Sequence, residues 1–170
     1  LIMAILISPM IVPLIITAAG MFFFYARINL VYSFTGIILA HVALATPFVV
    51  ITVTATLVGF DMNMVKASQS LGARPVRTFF KVIMPLILPG VISGALFAFI
   101  TSFDEVVIVM FMASLDQLTI PKQMWAGIRQ EISPVILCMA TCLVILSILL
   151  LTTVELLRRR SEKLRGIKSR

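Results

Sequence analysis

Four long stretches of this chain contain no charged residue, and their spacing constrains the fold more than any other feature. They cover residues 1–26, 28–60, 82–103 and 132–154. Each can cross a bilayer, because a helix needs about 20 mostly apolar residues to span roughly 30 Å of hydrocarbon. With 61% hydrophobic and only 12% charged residues, the chain carries more apolar surface than a water-soluble core can bury. The sequence therefore predicts an all-α, polytopic membrane helix bundle with four spans.

The same stretches predict how the chain is organised. The third apolar interval resumes after Asp104 and Glu105, so residues 82–115 form one apolar segment with a two-residue interruption. A single helix over this segment would be about 51 Å long, which exceeds the bilayer thickness. We therefore expect a break near residues 102–105, with Ser102 and Glu105 as the capping box of a new short helix. A transmembrane domain is expected over residues 1–157, before a basic tail over 158–170. Its four spans are expected at residues 3–25, 34–60, 84–112 and 134–157. The cytoplasmic loop between the second and third spans is expected at residues 61–83.

Prolines inside the spans are expected to bend them without ending them. Pro9 and Pro13 lie in the first span and Pro47 in the second. A proline is tolerated inside a span when neighbouring helices satisfy the carbonyl that it leaves free. We therefore expect kinks within the bundle at these positions.

Basic residues are concentrated on one predicted side of the membrane. Of fourteen lysines and arginines, seven lie in the tail and four in the loop between the second and third spans. Cytoplasmic flanks of spans carry such an excess, so this loop and the C-terminus are predicted to face the cytoplasm of a multi-pass membrane protein. The position of the cations beside spans argues for lipid and against nucleic acid as the reason for the net charge of +7.

The basic loop is predicted to form two helices joined by a turn. Gly72 suits a left-handed helix end, and Pro75 suits the first turn of the next helix. An apolar stripe then follows at helical spacing, and we expect it to face the bundle while Arg77 and Lys81 point elsewhere. The stripe comprises Val76, Phe79, Phe80, Ile83 and Met84. A second interpretation, also open, is an amphipathic segment that lies on anionic headgroups.

This loop resembles the EAA loop of bacterial ABC importer permeases. The resemblance rests on Lys66, Ala67, Ser68 and Gly72, followed by Ile83, Pro85 and a further "LPG". It implies a coupling helix that docks into a cleft of a separate ATPase subunit. Lys66 stands where the family usually has glutamate, so a salt bridge from that acid is not carried over. The coupling residues that the resemblance implies are Lys66, Ala67, Ser68, Gly72, Arg74, Pro75 and Arg77.

The resemblance extends over nearly the whole chain and matches the last four of six spans in such permeases. Because the chain opens at Leu1 without an initiator methionine, we expect an N-terminally incomplete permease of the type I fold. The implied partners are the ATPase subunit, which holds ATP and Mg²⁺, a second permease subunit and a periplasmic solute-binding protein. The chain itself has no G-x-x-x-x-G-K-[ST] phosphate loop and no Cys and His set at metal-ligand spacing. We expect no enzymatic activity and no bound cofactor or metal.

Asp104 and Glu105 are the strongest candidates for a solute pathway, because acids within apolar segments are rare and costly. The stretches "TSFDEVVI" and "LAHVALATPFVV" resemble the spermidine and putrescine branch of the permeases, which implies a polyamine substrate; ferric iron, thiamine and opines are the alternative solutes. The candidate pathway residues are His41, Ser102, Phe103, Asp104 and Glu105. Alternatively, the acids cap a broken helix or pair with Lys122 or Arg129, and His41 only bonds a neighbouring helix.

Small residues recur every four positions in the third span, at Gly90, Gly94 and Ala98. Such a stripe lets another helix approach closely, so we interpret it as a packing seam. Two further classes of function stay open from the residues alone. A secondary transporter or ion channel would use Asp104, Glu105 and His41 for protons or ions, and a membrane anchor would need no polar pathway at all.

Overall fold

A computed structural model describes residues 1–130 and 134–164 of the chain, and within those ranges every regular element is a helix. This agrees with the predicted all-α bundle. Three helices are long and apolar enough to span a membrane, or four if a bent pair of shorter helices counts as one span. The helices are α1 (Ile2–Ile11), α2 (Leu14–Arg27), α3 (Phe34–Val58), α4 (Met62–Ser70), α5 (Pro75–Phe103), α6 (Val107–Met112), α7 (Ile120–Gln130) and α8 (Pro134–Leu164).

The most extensive contact between helices in the described chain is that of α3 with α5, and glycines allow the two to approach closely. A Cβ added at Gly90 would meet the Thr56 hydroxyl oxygen, and one added at Gly94 would lie 3.0 Å from the Val49 Cα. The hydroxyls of Thr52 and Thr56 donate to carbonyls of their own helix, at 2.9 Å each. The side chains of Thr52 and Thr56 on α3 therefore lie where Gly90 and Gly94 of α5 have no Cβ, and the two helices pack closely there.

Gly94→Val is expected to force α3 and α5 apart, because the new side chain would meet backbone, which cannot rotate away. Overpacking of this kind costs about 1–3 kcal/mol. We expect a lower unfolding temperature of the purified membrane protein, measured by intrinsic fluorescence. Gly20→Val is the matched control, since a Cβ at Gly20 meets nothing within 4 Å. Equal effects of the two substitutions would contradict a close contact at Gly94.

A buried core forms where α2 and α6 pack against the first half of α3. Its members are Ala18, Ala40, Leu44, Ile108 and Met112. Two hydrogen bonds join the loops at this end of the bundle. The Tyr32 N–H donates to the Met112 carbonyl (2.9 Å), and the Gln117 side-chain amide donates to the Tyr32 carbonyl (3.3 Å). The loop that precedes α3 and the loop that follows α6 are thus held together at one end of α3.

The first expected span, residues 3–25, is two helices that meet at an angle of 114°. The prediction that Pro13 only kinks this segment was wrong. Pro13 has no N–H, so the Pro9 carbonyl cannot receive the next helical bond, and α1 ends at Ile11 with Val12 extended (φ −75°, ψ 136°). Pro9 itself is tolerated inside α1, because the Ser8 hydroxyl donates to the freed Ile5 carbonyl at 2.8 Å. One proline therefore breaks the segment and the other does not.

Helix α5 starts within the predicted cytoplasmic loop and continues without interruption into the third apolar interval. A π-helical turn at Phe79–Ile83 lies near its beginning. Such a turn inserts an extra residue, so the side chains before it are rotated by about 100° relative to those after it, compared with a regular helix. The break expected near residues 102–105 lies between Phe103, where α5 ends, and Val107, where α6 begins. Residues 165–170 of the predicted basic tail lie outside the described residues.

Candidate functional site

The turn between α4 and α5 is built around Gly72. Its φ of +79° is left-handed, and a Cβ there would meet nothing within 4 Å. The Gly72 N–H donates to the Gln69 carbonyl (2.9 Å), and the Ala73 N–H donates to the Ser68 carbonyl (3.1 Å). These two bonds form a Schellman motif, which requires a left-handed residue at this position. The predicted left-handed helix end is confirmed, and the need for glycine comes from the backbone conformation, since space is available.

A hydrogen bond between side chains fixes the two arms of this turn. The Ser68 and Thr78 hydroxyl oxygens are 2.7 Å apart, and Thr78 is only 2% exposed. The bond ties α4 to the first turn of α5, so the two short segments are held at a defined angle. Thr78 was not among the residues predicted for this site; its signal in the sequence is a single uncharged polar residue between Arg77 and the apolar Phe79.

The outer surface of the turn is apolar and basic. Leu71 is 88% exposed, Val76 69% and Phe80 62%, so the expectation that the whole apolar stripe faces its own bundle was wrong for Val76, Phe79 and Phe80. Thr78 is buried in their place, and the π-helical turn explains the change of face. Lys66, Arg74 and Arg77 are also exposed. We call the set Lys66, Leu71, Arg74, Val76, Arg77 and Phe80 the docking face.

A second candidate site lies where two helix breaks meet. The break between α1 and α2 and the break between α5 and α6 border one cavity of about 540 Å³. Leu44 and Phe48, from the middle of α3, form part of its wall, so the cavity lies level with the centre of that helix. We call it the break cavity; its other lining residues are Pro9, Met10, Ile11, Val12, Pro13, Leu14, Thr101, Asp104 and Glu105.

Glu105 caps the short helix α6. Its two carboxyl oxygens accept hydrogen bonds from the backbone N–H groups of Ile108 (2.8 Å) and Val109 (3.1 Å). The side chain is only 5% exposed. The interpretation of this acid as a helix cap is therefore confirmed, but the expected capping box with Ser102 was wrong. Ser102 lies within α5, and α6 starts only at Val107, so the two residues do not flank one helix start.

Asp104 differs from its neighbour because its side chain is exposed and makes no hydrogen bond or ion pair with any residue that the structure describes. It lines the break cavity and also a cavity of about 420 Å³ bounded by α7 and α8. The alternative pairing with Lys122 does not occur, since the Lys122 ammonium donates to the Ser114 (3.2 Å) and Gln117 (3.4 Å) carbonyls. The side chain of Arg129, the other partner considered, lies outside the described residues.

His41 and Ser102 bond to each other across the interface of α3 and α5. The His41 Nδ1 lies 2.7 Å from the Ser102 hydroxyl oxygen, while Nε2 is buried without a partner among the described residues. The predicted hydrogen bond of His41 to a neighbouring helix is confirmed. Phe103 stacks on Phe99 at 5.3 Å between ring centroids. The structure thus brings Asp104 and Glu105 to the break cavity, whereas His41 is engaged between helices.

Neither site has the ligands that a metal ion needs. Within residues 1–130 and 134–164, no three His, Cys, Asp or Glu side chains are grouped to hold one. Cys138 and Cys142 are free, and both are exposed on α8. The chemistry that these residues support is electrostatic attraction and shape recognition.

Known proteins resemble this chain over most of its length. A model of the protein family described as "Binding-protein-dependent transport system inner membrane component" matches residues 1–163. The spermidine/putrescine transport system permease protein PotC of Haemophilus influenzae is 31% identical over 150 residues, which cover 88% of this chain and 58% of that protein. PotC of Escherichia coli K12 is 29% identical over 151 residues, covering 89% and 57%.

A third relative is the putrescine transport system permease protein PotI of Escherichia coli K12. It is 29% identical over 140 residues, which cover 79% of this chain and 50% of that protein. The chain therefore spans between half and three fifths of the length of these curated relatives.

Proposed function

Because this chain belongs to the family of binding-protein-dependent transport system inner membrane components, we propose that it forms part of the translocation pathway of an ATP-driven importer. Its partners are an ATPase subunit, which holds ATP and Mg²⁺, a second permease subunit and a periplasmic solute-binding protein. The chain lies in a bacterial inner membrane with the docking face and the C-terminus in the cytoplasm, as the distribution of basic residues supports. It does not hydrolyse ATP itself.

The docking face is the observation that carries this proposal. Three large apolar side chains, Leu71, Val76 and Phe80, are each more than 60% exposed on a turn that hydrogen bonds hold rigid. Apolar groups beside cations on a fixed helix–turn–helix surface are the composition of a protein interface. A secondary transporter or an anchor has no use for such a surface. Docking of an ATPase subunit accounts for this surface, and helix α5 connects the docking face directly to Asp104.

The solute is a polyamine. The named substrates of three relatives, spermidine and putrescine, support this assignment. An unpaired acid in the middle of an apolar bundle adds physical support, since it attracts cations and repels anions. Ferric iron is less suited to this pathway, because hard metal ions require several oxygen ligands together. Thiamine and opines are the competing solutes that an uptake assay must include.

Leu71→Asp is expected to release the ATPase subunit from the purified complex, because it places a charge in the centre of the docking face. The matched control is Leu115→Asp, since Leu115 is 91% exposed and Leu71 88%. Leu115 lies in the loop after α6, at the opposite end of α3 from the docking face. We expect the ATPase subunit to co-purify with the intact system and with the control, and to be lost, by about tenfold or more, from Leu71→Asp.

The same preparations test the function by uptake of labelled putrescine and spermidine into proteoliposomes that contain ATP. Uptake should require the ATPase subunit and the binding protein, and an excess of thiamine or an opine should not compete. Polyamine uptake without any ATPase present would contradict the proposal and favour a secondary transporter. Retention of the ATPase by Leu71→Asp would contradict the assignment of the docking face.

A further inference from the structure

We propose that Pro85 is the positioning residue of the docking face. By preventing a regular helix at Phe79–Ile83, it forces the π-helical turn that rotates Val76 and Phe80 away from the bundle. This inference rests on the proposed function, in which the docking face binds an ATPase subunit, and adds the residue that sets the orientation of that face. Pro85 is half-buried and is not part of the docking face, so it acts through the helix.

The cause of the π-helical turn is the covalent structure of proline. In a regular helix the N–H of position 85 would donate to the Lys81 carbonyl, but proline has no N–H, and its ring clashes with the carbonyl four residues before it. A wider turn relieves this clash. The Met84 N–H donates to the Phe79 carbonyl, five residues back instead of four. The wide turn at Phe79–Ile83 is centred on Lys81, the residue whose carbonyl the ring would otherwise meet.

The direction of Ile87 shows what the wide turn changes. Ile87 is only 6% exposed and faces the bundle. At 100° per residue, Phe80 and Val76 of a regular helix would lie within about 20° of the direction of Ile87. Both side chains are exposed instead. One extra residue in the intervening turn accounts for this result, because it rotates the preceding residues by about 100°.

The same rotation brings Thr78 to Ser68. In a regular helix Thr78 would point about 180° away from Ile87, on the outer side of α5. In the structure Thr78 is buried, and its hydroxyl oxygen lies 2.7 Å from that of Ser68. The wide turn therefore exposes the apolar residues of the docking face and also allows the bond that holds α4 against α5.

Pro85→Ala is expected to turn the docking face back toward the bundle, because alanine restores the N–H and removes the ring. Inside-out vesicles that contain the full permease without its ATPase subunit, with Cys138 and Cys142 replaced by serine, allow the orientation to be measured. A membrane-impermeant maleimide should label Val76→Cys, and addition of Pro85→Ala should slow this labelling by about fivefold or more. Leu71→Cys, in the turn before α5, is the control and should label equally with and without Pro85→Ala.

Deletion of Lys81 is the compensating change. One residue fewer rotates the start of a regular helix by about 100°, which is the rotation that the π-helical turn produces. Pro85→Ala combined with this deletion should therefore regain the labelling of Val76→Cys. Lys81→Ala removes the same charge and keeps the helix length, so it should not restore labelling in the Pro85→Ala protein. A proline that only stabilised the helix would not be compensated by a deletion.

Co-purification of the ATPase subunit with the full complex provides the second measurement. Pro85→Ala should lower the amount of bound ATPase by about tenfold, and the added deletion of Lys81 should restore it. Pro89→Ala is the matched control, because Pro89 is also half-buried but lies in the regular part of α5. It should retain the ATPase subunit.

Unchanged labelling of Val76→Cys in the Pro85→Ala protein would overturn the proposal, as would equal losses of the ATPase from Pro85→Ala and Pro89→Ala. Failure of the Lys81 deletion to restore labelling would also overturn it, since the effect would then be a loss of structure and not a rotation. If labelling changes as expected while every variant retains the ATPase, Pro85 still sets the orientation of this surface, and the docking role in the proposed function is wrong.

Discussion

Gly72→Val is expected to abolish ATP-driven uptake and to release the ATPase subunit. At φ +79° a β-branched residue is strained by about 1–3 kcal/mol, and the strain is relieved when the last turn of α4 unwinds. Unwinding removes the hydrogen bonds from Gly72 and Ala73 to the carbonyls of α4 and moves Leu71 out of the docking face. The measurement is ATPase co-purification together with polyamine uptake, and we expect both to fall by at least about tenfold.

Gly59→Val is the matched control for this substitution. Gly59 also ends a helix on the same side of the bundle, and a Cβ there meets nothing within 4 Å, but its φ is −88°. Gly72→Asn should be intermediate, because asparagine tolerates the left-handed region better than valine does. Equal effects of Gly59→Val and Gly72→Val would show that the backbone conformation at Gly72 does not control docking.

Glu105→Ala is expected to destabilise the core end of the bundle. The substitution leaves the Ile108 and Val109 N–H groups, now bonded at 2.8 and 3.1 Å, without acceptors in a buried position. Each unsatisfied donor costs about 1–3 kcal/mol, and α6 has only six residues with which to offset that cost. Ile108 and Met112 would then lose their places in the core. We expect a drop in the unfolding temperature of the purified complex and a lower yield.

Asp116→Ala is the control for Glu105→Ala, because it removes an exposed carboxyl group near the other end of α6. Glu105→Gln should be milder than Glu105→Ala, since the amide oxygen can still accept one of the two bonds. If Glu105→Ala keeps normal stability but loses uptake, the acid belongs to the solute pathway and its role as a cap is secondary.

The candidate coupling turn could be predicted from the sequence because its causes are local. Glycine tolerates a left-handed conformation and proline favours a first helical turn, whatever lies elsewhere in the fold. The face that the turn exposes could not be predicted in the same way. It depends on a π-helical turn at Phe79–Ile83, which shifts the positions that a regular helix would give to Val76 and Phe80.

Asp104 and Glu105 also show which features could be predicted from the sequence and which could not. Their position within an apolar interval predicted both a helix break and a functional site, and the break lies between Phe103 and Val107. The sequence predicted a capping role for Glu105, but it could not say which of the two carboxyl groups is buried and which is exposed. The structure does so, because Glu105 reaches back to the N–H groups of α6 whereas Asp104 opens on the break cavity.

By itself, the sequence determined the all-helical membrane class, the number of apolar intervals and the turn at Gly72, since these depend on hydrophobic length and on the backbone chemistry of single residues. Only the tertiary structure decided which groups meet. His41 bonds Ser102 across 61 positions of sequence, and the end of α1 lines the same cavity as Asp104. Such meetings depend on how closely the glycines of α5 let α3 approach and on where Pro13 ends α1. Contacts between distant residues therefore determine which side chains form the site, whereas local chemistry determines the conformation of each segment that carries them.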